Sequence, residues 1–157
     1  MAHSADGNDA TRRGALRWVA GLAVGAFAVP AAAQEPRPEV SQPHTPGPKG
    51  FMEGAFEMRR RAIERGDEPY GAVVVKDGRV VGEGVSGVIT GIDPTAHAEL
   101  QAIRDAARRL HTRDLSGCEL YGTSPACPMC EGGAFWARIT RLYHGAAITD
   151  AGAPRLR

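Results

Sequence analysis

The chain lacks a surplus of charge of either sign, has only three cysteines, and contains no apolar run long enough to cross a bilayer comfortably. Its 157 residues carry 19 Lys and Arg against 18 Asp and Glu, a formal net charge of +1. Arg12, Arg13 and Arg17 face Asp6 and Asp9 within residues 1–33, so 16 basic and 16 acidic residues remain beyond them. A protein that grips nucleic acid usually shows a basic excess. Its absence counts against such a partner and favours a small neutral substrate. An odd number of cysteines argues against a disulfide framework. Cys118 lies in Cys118-Glu-Leu-Tyr121, which alternates like a strand, and reads as a small core residue. The longest apolar run, Trp18 to Val29, is too short for a permanent anchor.

That run instead has the composition of an address. Arg12-Arg13 precedes it, and Ala31-Ala32-Ala33 follows it with the small-residue pattern of a cleavage site. Residues 1–33 therefore read as a secretory signal of twin-arginine type, cut to leave Gln34 first, with the mature protein periplasmic or secreted and free of the membrane. A site built from two thiolates has a reason to be loaded and closed in a reducing compartment before export. Five prolines (36, 38, 43, 46 and 48) make residues 34–50 read as an extended, disordered linker. Residues 51–157 form at most one domain.

Within that domain the periodicity predicts a helix from Phe51 to Arg65, with Phe51, Ala55, Met58 and Ala62 on one stripe. Gly71–Lys76 and Arg79–Val85 are strands joined by Asp77-Gly78, a strong hairpin turn. Thr95 is placed to cap a second helix whose buried stripe is Leu100, Ile103, Ala107 and Leu110. A third strand covers Cys118–Gly122, a third helix runs from Pro128 to about Ala137, and a fourth strand covers Arg141–Ile148. A hairpin followed by alternating helix and strand implies an α/β fold, a three-layer α/β/α sandwich with a mixed sheet.

The residues that carry chemistry are His97, Glu99, Cys127 and Cys130. One imidazole and two thiolates make three protein ligands, the number a catalytic zinc uses when its fourth position takes water. Pro128 suits a first helical position, which makes Cys127 the N-cap and sets Cys130 one turn on, facing the same way. The positive end of that helix favours thiolates. On a regular helix His97 and Glu99 would point about 200° apart, which gives them separate jobs: ligand and proton shuttle. A lone Cys-x-x-Cys is weak evidence. Joined to His-x-Glu it is the signature of zinc-dependent base deaminases.

Beyond the metal motif, Asp93-Pro-Thr-Ala-His97-Ala-Glu99, Cys127-Pro-Met-Cys130 with Phe135-Trp136-Ala137-Arg138, and Pro69-Tyr70-Gly71-Ala72 strongly resemble the guanine deaminases of the cytidine and deoxycytidylate deaminase superfamily. That branch is close to tRNA adenosine deaminases. The resemblance implies a Zn2+ ion on His97, Cys127 and Cys130, with Glu99 as the catalytic acid and base. It implies hydrolytic deamination of a nucleobase, guanine first, with adenosine or cytosine deamination as the alternative. It also implies a homodimer. Tyr70, Ser86 and Trp136 fall where the family contacts the base. Three departures stand out. Pro125-Ala126 precedes Cys127 where the family has Glu-Pro. Ser86 replaces an asparagine. The chain stops at Arg157, just after the fourth expected strand, which implies an open pocket and an uncovered sheet edge. Together they keep a third reading alive, a zinc-stabilised remnant that binds without turnover.

Overall fold

The computed structural model describes residues 38–156, so the expected signal peptide and its cleavage site lie outside the described residues. Helix α1 spans Pro48–Glu64, strand β1 Gly71–Lys76, β2 Arg79–Val85, helix α2 Ala98–Arg109, β3 Cys118–Gly122, helix α3 Pro128–Trp136, β4 Arg141–His144 and β5 Thr149–Gly152. The strands form one mixed sheet in the order β2-β1-β3-β4-β5. Only the β3–β4 pair is parallel. Parallel neighbours need a crossover, and α3 supplies it. No helix among the described residues is long and apolar enough to cross a membrane.

The strand β1 is buried on both faces because its side chains alternate between two cores. Val73 and Val75 join Phe51, Met52, Ala55 and Met58 of α1 on one side. Ala72 and Val74 join Ala98, Ala102, Ile103 and Ala106 of α2, with Ala134 of α3, on the other. Cys118 is fully buried in that second core, as its strand pattern implies. This is the expected three-layer sandwich with a mixed sheet. The hairpin turn also holds: Asp77 and Gly78 take φ of 49° and 74°, the left-handed pair that suits a two-residue turn.

Five expectations need correction. The first helix begins at Pro48, three residues early, because Pro is favoured in a first helical turn. Residues 38–47, expected to be a disordered linker, lie along the domain. The Gln42 side chain pairs with the Val80 backbone through its nitrogen (2.8 Å) and its oxygen (3.0 Å). Ser41 N–H donates to Glu83 (2.8 Å), and Arg109 donates to the Pro38 carbonyl (2.6 Å).

Thr95 does not cap α2. Its hydroxyl and N–H both donate to Asp93 (2.7 and 2.8 Å) in a local turn, and His97 is the N-cap. The fully buried face of α2 consists mostly of alanines, not leucines, because β2 opposes it with Gly82 and Gly84. A Cβ on Gly84 would lie 1.9 Å from the Ala98 carbonyl oxygen, so this helix rides directly on strand backbone. Finally, the chain turns after His144, with left-handed Gly145 and Ile148, and returns as β5. The outer edge of β4 is therefore covered by a fifth strand that the sequence pattern did not reveal.

Candidate metal centre

Two helices start at the same place. His97 is the N-cap of α2 (φ −62°, ψ 147°) and Cys127 the N-cap of α3 (φ −70°, ψ 166°). An N-cap side chain normally turns inward to accept a backbone N–H. Neither of these does, and both point at each other instead. The His97 Nδ1 atom lies 3.6 Å from the sulfur of Cys127 and 3.6 Å from that of Cys130. The three ligand atoms all fall within 4.8 Å of one another. Tetrahedral zinc, with Zn–S of about 2.3 Å and Zn–N of about 2.05 Å, sets nitrogen and sulfur roughly 3.6 Å apart. The donor set and its spacing therefore fit zinc.

The extended backbone of His97 also resolves the geometry of His-x-Glu. The 200° divergence holds only if both residues are helical, and His97 is not. Glu99, in the first turn of α2, comes round to the same side, with Oε2 3.5 Å from the Cys130 sulfur. It is only 6% exposed. Desolvation raises its pKa above the ordinary value, against the lowering influence of its own backbone N–H, Cys130 and the His97 charge. Burial, and then the Glu99 carboxylate, push the Cys130 thiol up. A divalent ion between the sulfurs reverses that balance, so metal binding and thiol deprotonation occur together.

Two cavities meet at Glu99. One, of about 270 Å³, is lined by Glu68, Tyr70, His97, Glu99, Ser124, Pro125 and Cys127. The other, of about 200 Å³, runs from Glu99 past Ser124 and Pro125 to Glu131, Tyr143 and His144. The loop containing Pro125-Ala126 is thus part of the walls of both.

Of the residues expected to meet the base, Tyr70 lies on the metal cavity. Ser86 does not line either cavity: it is buried, and its hydroxyl donates to Asp67 (2.8 Å). Trp136 ends α3, is 74% exposed, and borders a shallow depression with Phe135, Arg138, Ile139, Ala153 and Pro154, away from the metal ligands. Sequence reasoning missed Asp67, Glu68 and Glu131. The only available signal was position: Asp67-Glu68 stands just before Pro69-Tyr70, and Glu131 directly follows Cys130.

Asp67 organises the loop that leads to His97. Its two oxygens accept the Ser86 hydroxyl, the Glu68 and Val88 N–H groups, and both the N–H and hydroxyl of Thr90. That loop is tied onward, with Gly87 N–H donating to the Ala96 carbonyl (3.0 Å), next to the ligand.

The model of the cytidine and deoxycytidylate deaminase zinc-binding region matches residues 48–146. The chain is 48% identical over 102 residues to a guanine deaminase of Bacillus subtilis, covering 64% of this chain and 65% of that protein. It is 41% identical over 100 residues to a tRNA-specific adenosine deaminase of Aquifex aeolicus, covering 64% and 66%. It thus spans just under two thirds of the length of either relative. Among solved structures, the guanine deaminase of Nitrosomonas europaea superposes with a TM-score of 0.62 at 28% identity, covering 66% of this chain and 61% of that one. With the zinc-ligand geometry, the sandwich and the matched region in agreement, the chain belongs to the cytidine and deoxycytidylate deaminase zinc-binding family.

Proposed function

We propose that this protein hydrolytically deaminates a purine nucleobase, converting guanine to xanthine and ammonia. The observation that carries this reading is the convergence of His97, Cys127 and Cys130 beside a buried Glu99 at the floor of a cavity. When bound, zinc supplies Lewis acidity and lowers the pKa of a water towards about 7. Glu99 takes a proton from the attacking water and returns protons to the ring nitrogen and the departing amine. Tyr70 offers an aromatic face at the cavity mouth, against which a flat heterocycle stacks.

The relatives support guanine and also a tRNA adenosine. Among the described residues no Lys or Arg lines either cavity, which favours a free base over a polyanion. We further propose a homodimer, and export by the twin-arginine route with Gln34 as the mature N-terminus. The support for export is the residue pattern at 12–33.

Ammonia release over guanine, adenine, cytosine and their nucleosides tests the activity. Turnover of guanine alone is the expected result. Preference for adenosine or cytosine would move the substrate, and silence across the panel with stoichiometric zinc would leave a binding module.

A further inference from the structure

Acids outnumber bases in the linings of the two cavities that meet at Glu99. Among the described residues the linings contain Glu68, Glu99 and Glu131, with His97 and His144 and no Lys or Arg. Zinc does not offset this, because two thiolates already neutralise a divalent ion. Glu131 has a structural partner, accepting the Arg155 N–H (3.2 Å). Glu68 is different. Its backbone is fixed at both ends, the N–H donating to Asp67 (2.8 Å) and the carbonyl accepting from Tyr70 N–H (2.7 Å). Its carboxylate has no hydrogen-bond or ion-pair partner among the described residues. It lines the same cavity as His97 and Glu99, beside Tyr70. It is thus a half-buried acid of the metal cavity whose backbone is held on both sides and whose carboxylate is left unpaired among the described residues.

We propose that Glu68 is a specificity-determining residue: it admits neutral bases through their N–H groups and turns away substrates that carry phosphate. The inference rests on the base-deaminase reading and adds the group that enforces it. An ionised carboxylate only accepts hydrogen bonds. Ring N–H and exocyclic amino groups complement it. A phosphate oxygen meets like charge there.

The experiment compares guanine, guanosine and guanosine 5′-monophosphate with zinc-loaded parent, E68Q and E68K, reading kcat and KM separately at low and high salt. E68Q is expected to keep its zinc and its melting temperature. It is expected to narrow the parent's preference for base over monophosphate by about tenfold or more, through KM, with E68K narrowing it further. In the parent, added salt should also narrow that preference, and do so less in E68Q. An unchanged ratio in both variants would overturn the proposal and make Glu68 a solvated surface charge. Calorimetric binding of the base and the monophosphate reads the same ratio without turnover. A parent that binds guanine but releases no ammonia therefore sinks the deaminase reading alone, and leaves Glu68 to be judged on binding. Binding of neither compound sinks both.

Discussion

Glu99 occupies a position where two roles can be separated by substitution. It touches the Cys130 sulfur at 3.5 Å yet is not one of the three converging ligand atoms. Glu99→Ala should leave zinc stoichiometric, because His97, Cys127 and Cys130 remain. It should reduce turnover by about 10²–10⁴-fold, the usual share of a positioned acid and base. Metal analysis alongside ammonia release checks both halves, and an active alanine variant would remove Glu99 from the chemistry. The metal trio was legible in the sequence because donor type and spacing are nearly the whole of that problem: few residues bind zinc, and a Pro-started helix fixes the Cys-x-x-Cys turn. Ser86 and Trp136 were not legible in the same way. What Ser86 does depends on Asp67, 19 residues earlier, which takes its hydroxyl. What Trp136 does depends on the direction in which the end of a helix points, and no local pattern states that.

At the scale of elements, the site stands on the close approach of α2 to β2 and on the loop that Asp67 clamps. Gly84→Ala would set a Cβ 1.9 Å from the Ala98 oxygen and 2.5 Å from the Ala102 nitrogen, both backbone atoms. The helix must move away, and its N-terminus carries His97. A loss of about 1–3 kcal/mol is expected from such overpacking, together with weaker zinc binding. Gly133→Ala is the control: its Cβ would meet the tip of the flexible Leu100 side chain, so the melting temperature should change far less.

Asp67 gives a pH signature. Burial alone would raise its pKa, but hydrogen bonds from Thr90, Ser86 and the Glu68 N–H outweigh that and hold it well below the ordinary 3.8. A depressed carboxyl contributes stability above its unfolded value, and the contribution is lost as pH falls below it. Asp67→Asn, which turns an amide donor towards other donors, should therefore melt earlier than the parent at pH 7. The gap should close as pH drops below about 4. A constant gap across that range, read by thermal melts, would deny the carboxylate this role. These packings were only half readable in advance. Alternation exposed β1, β2 and β3, but Thr149–Gly152 carries no apolar alternation, so β5 is a strand only because β4 presents an open edge for it to pair with.

Across the whole molecule, the metal centre joins parts that the chain separates widely. It bridges the start of α2 to the start of α3, 30 residues later, and both helices pack on the same face of the sheet. A closed ring of that kind takes conformational freedom from the unfolded chain, and folding supplies the ligand geometry that the ion selects, so metal affinity and stability are one quantity. Chelation should therefore lower the melting temperature cooperatively, not only abolish activity. Cys127→Ser should reproduce the metal-free melting temperature and become insensitive to the chelator. Cys118 separates this effect from the general sensitivity of a buried cysteine. It is fully buried in the same core, but its pKa is raised, chiefly by desolvation, and it is not among the converging ligands. Cys118→Ala should lose about 1 kcal/mol from one deleted buried atom, bind a full equivalent of zinc, and keep the parent's drop on chelation. If chelated parent melted where zinc-loaded parent does, the ion would serve chemistry without holding the fold together.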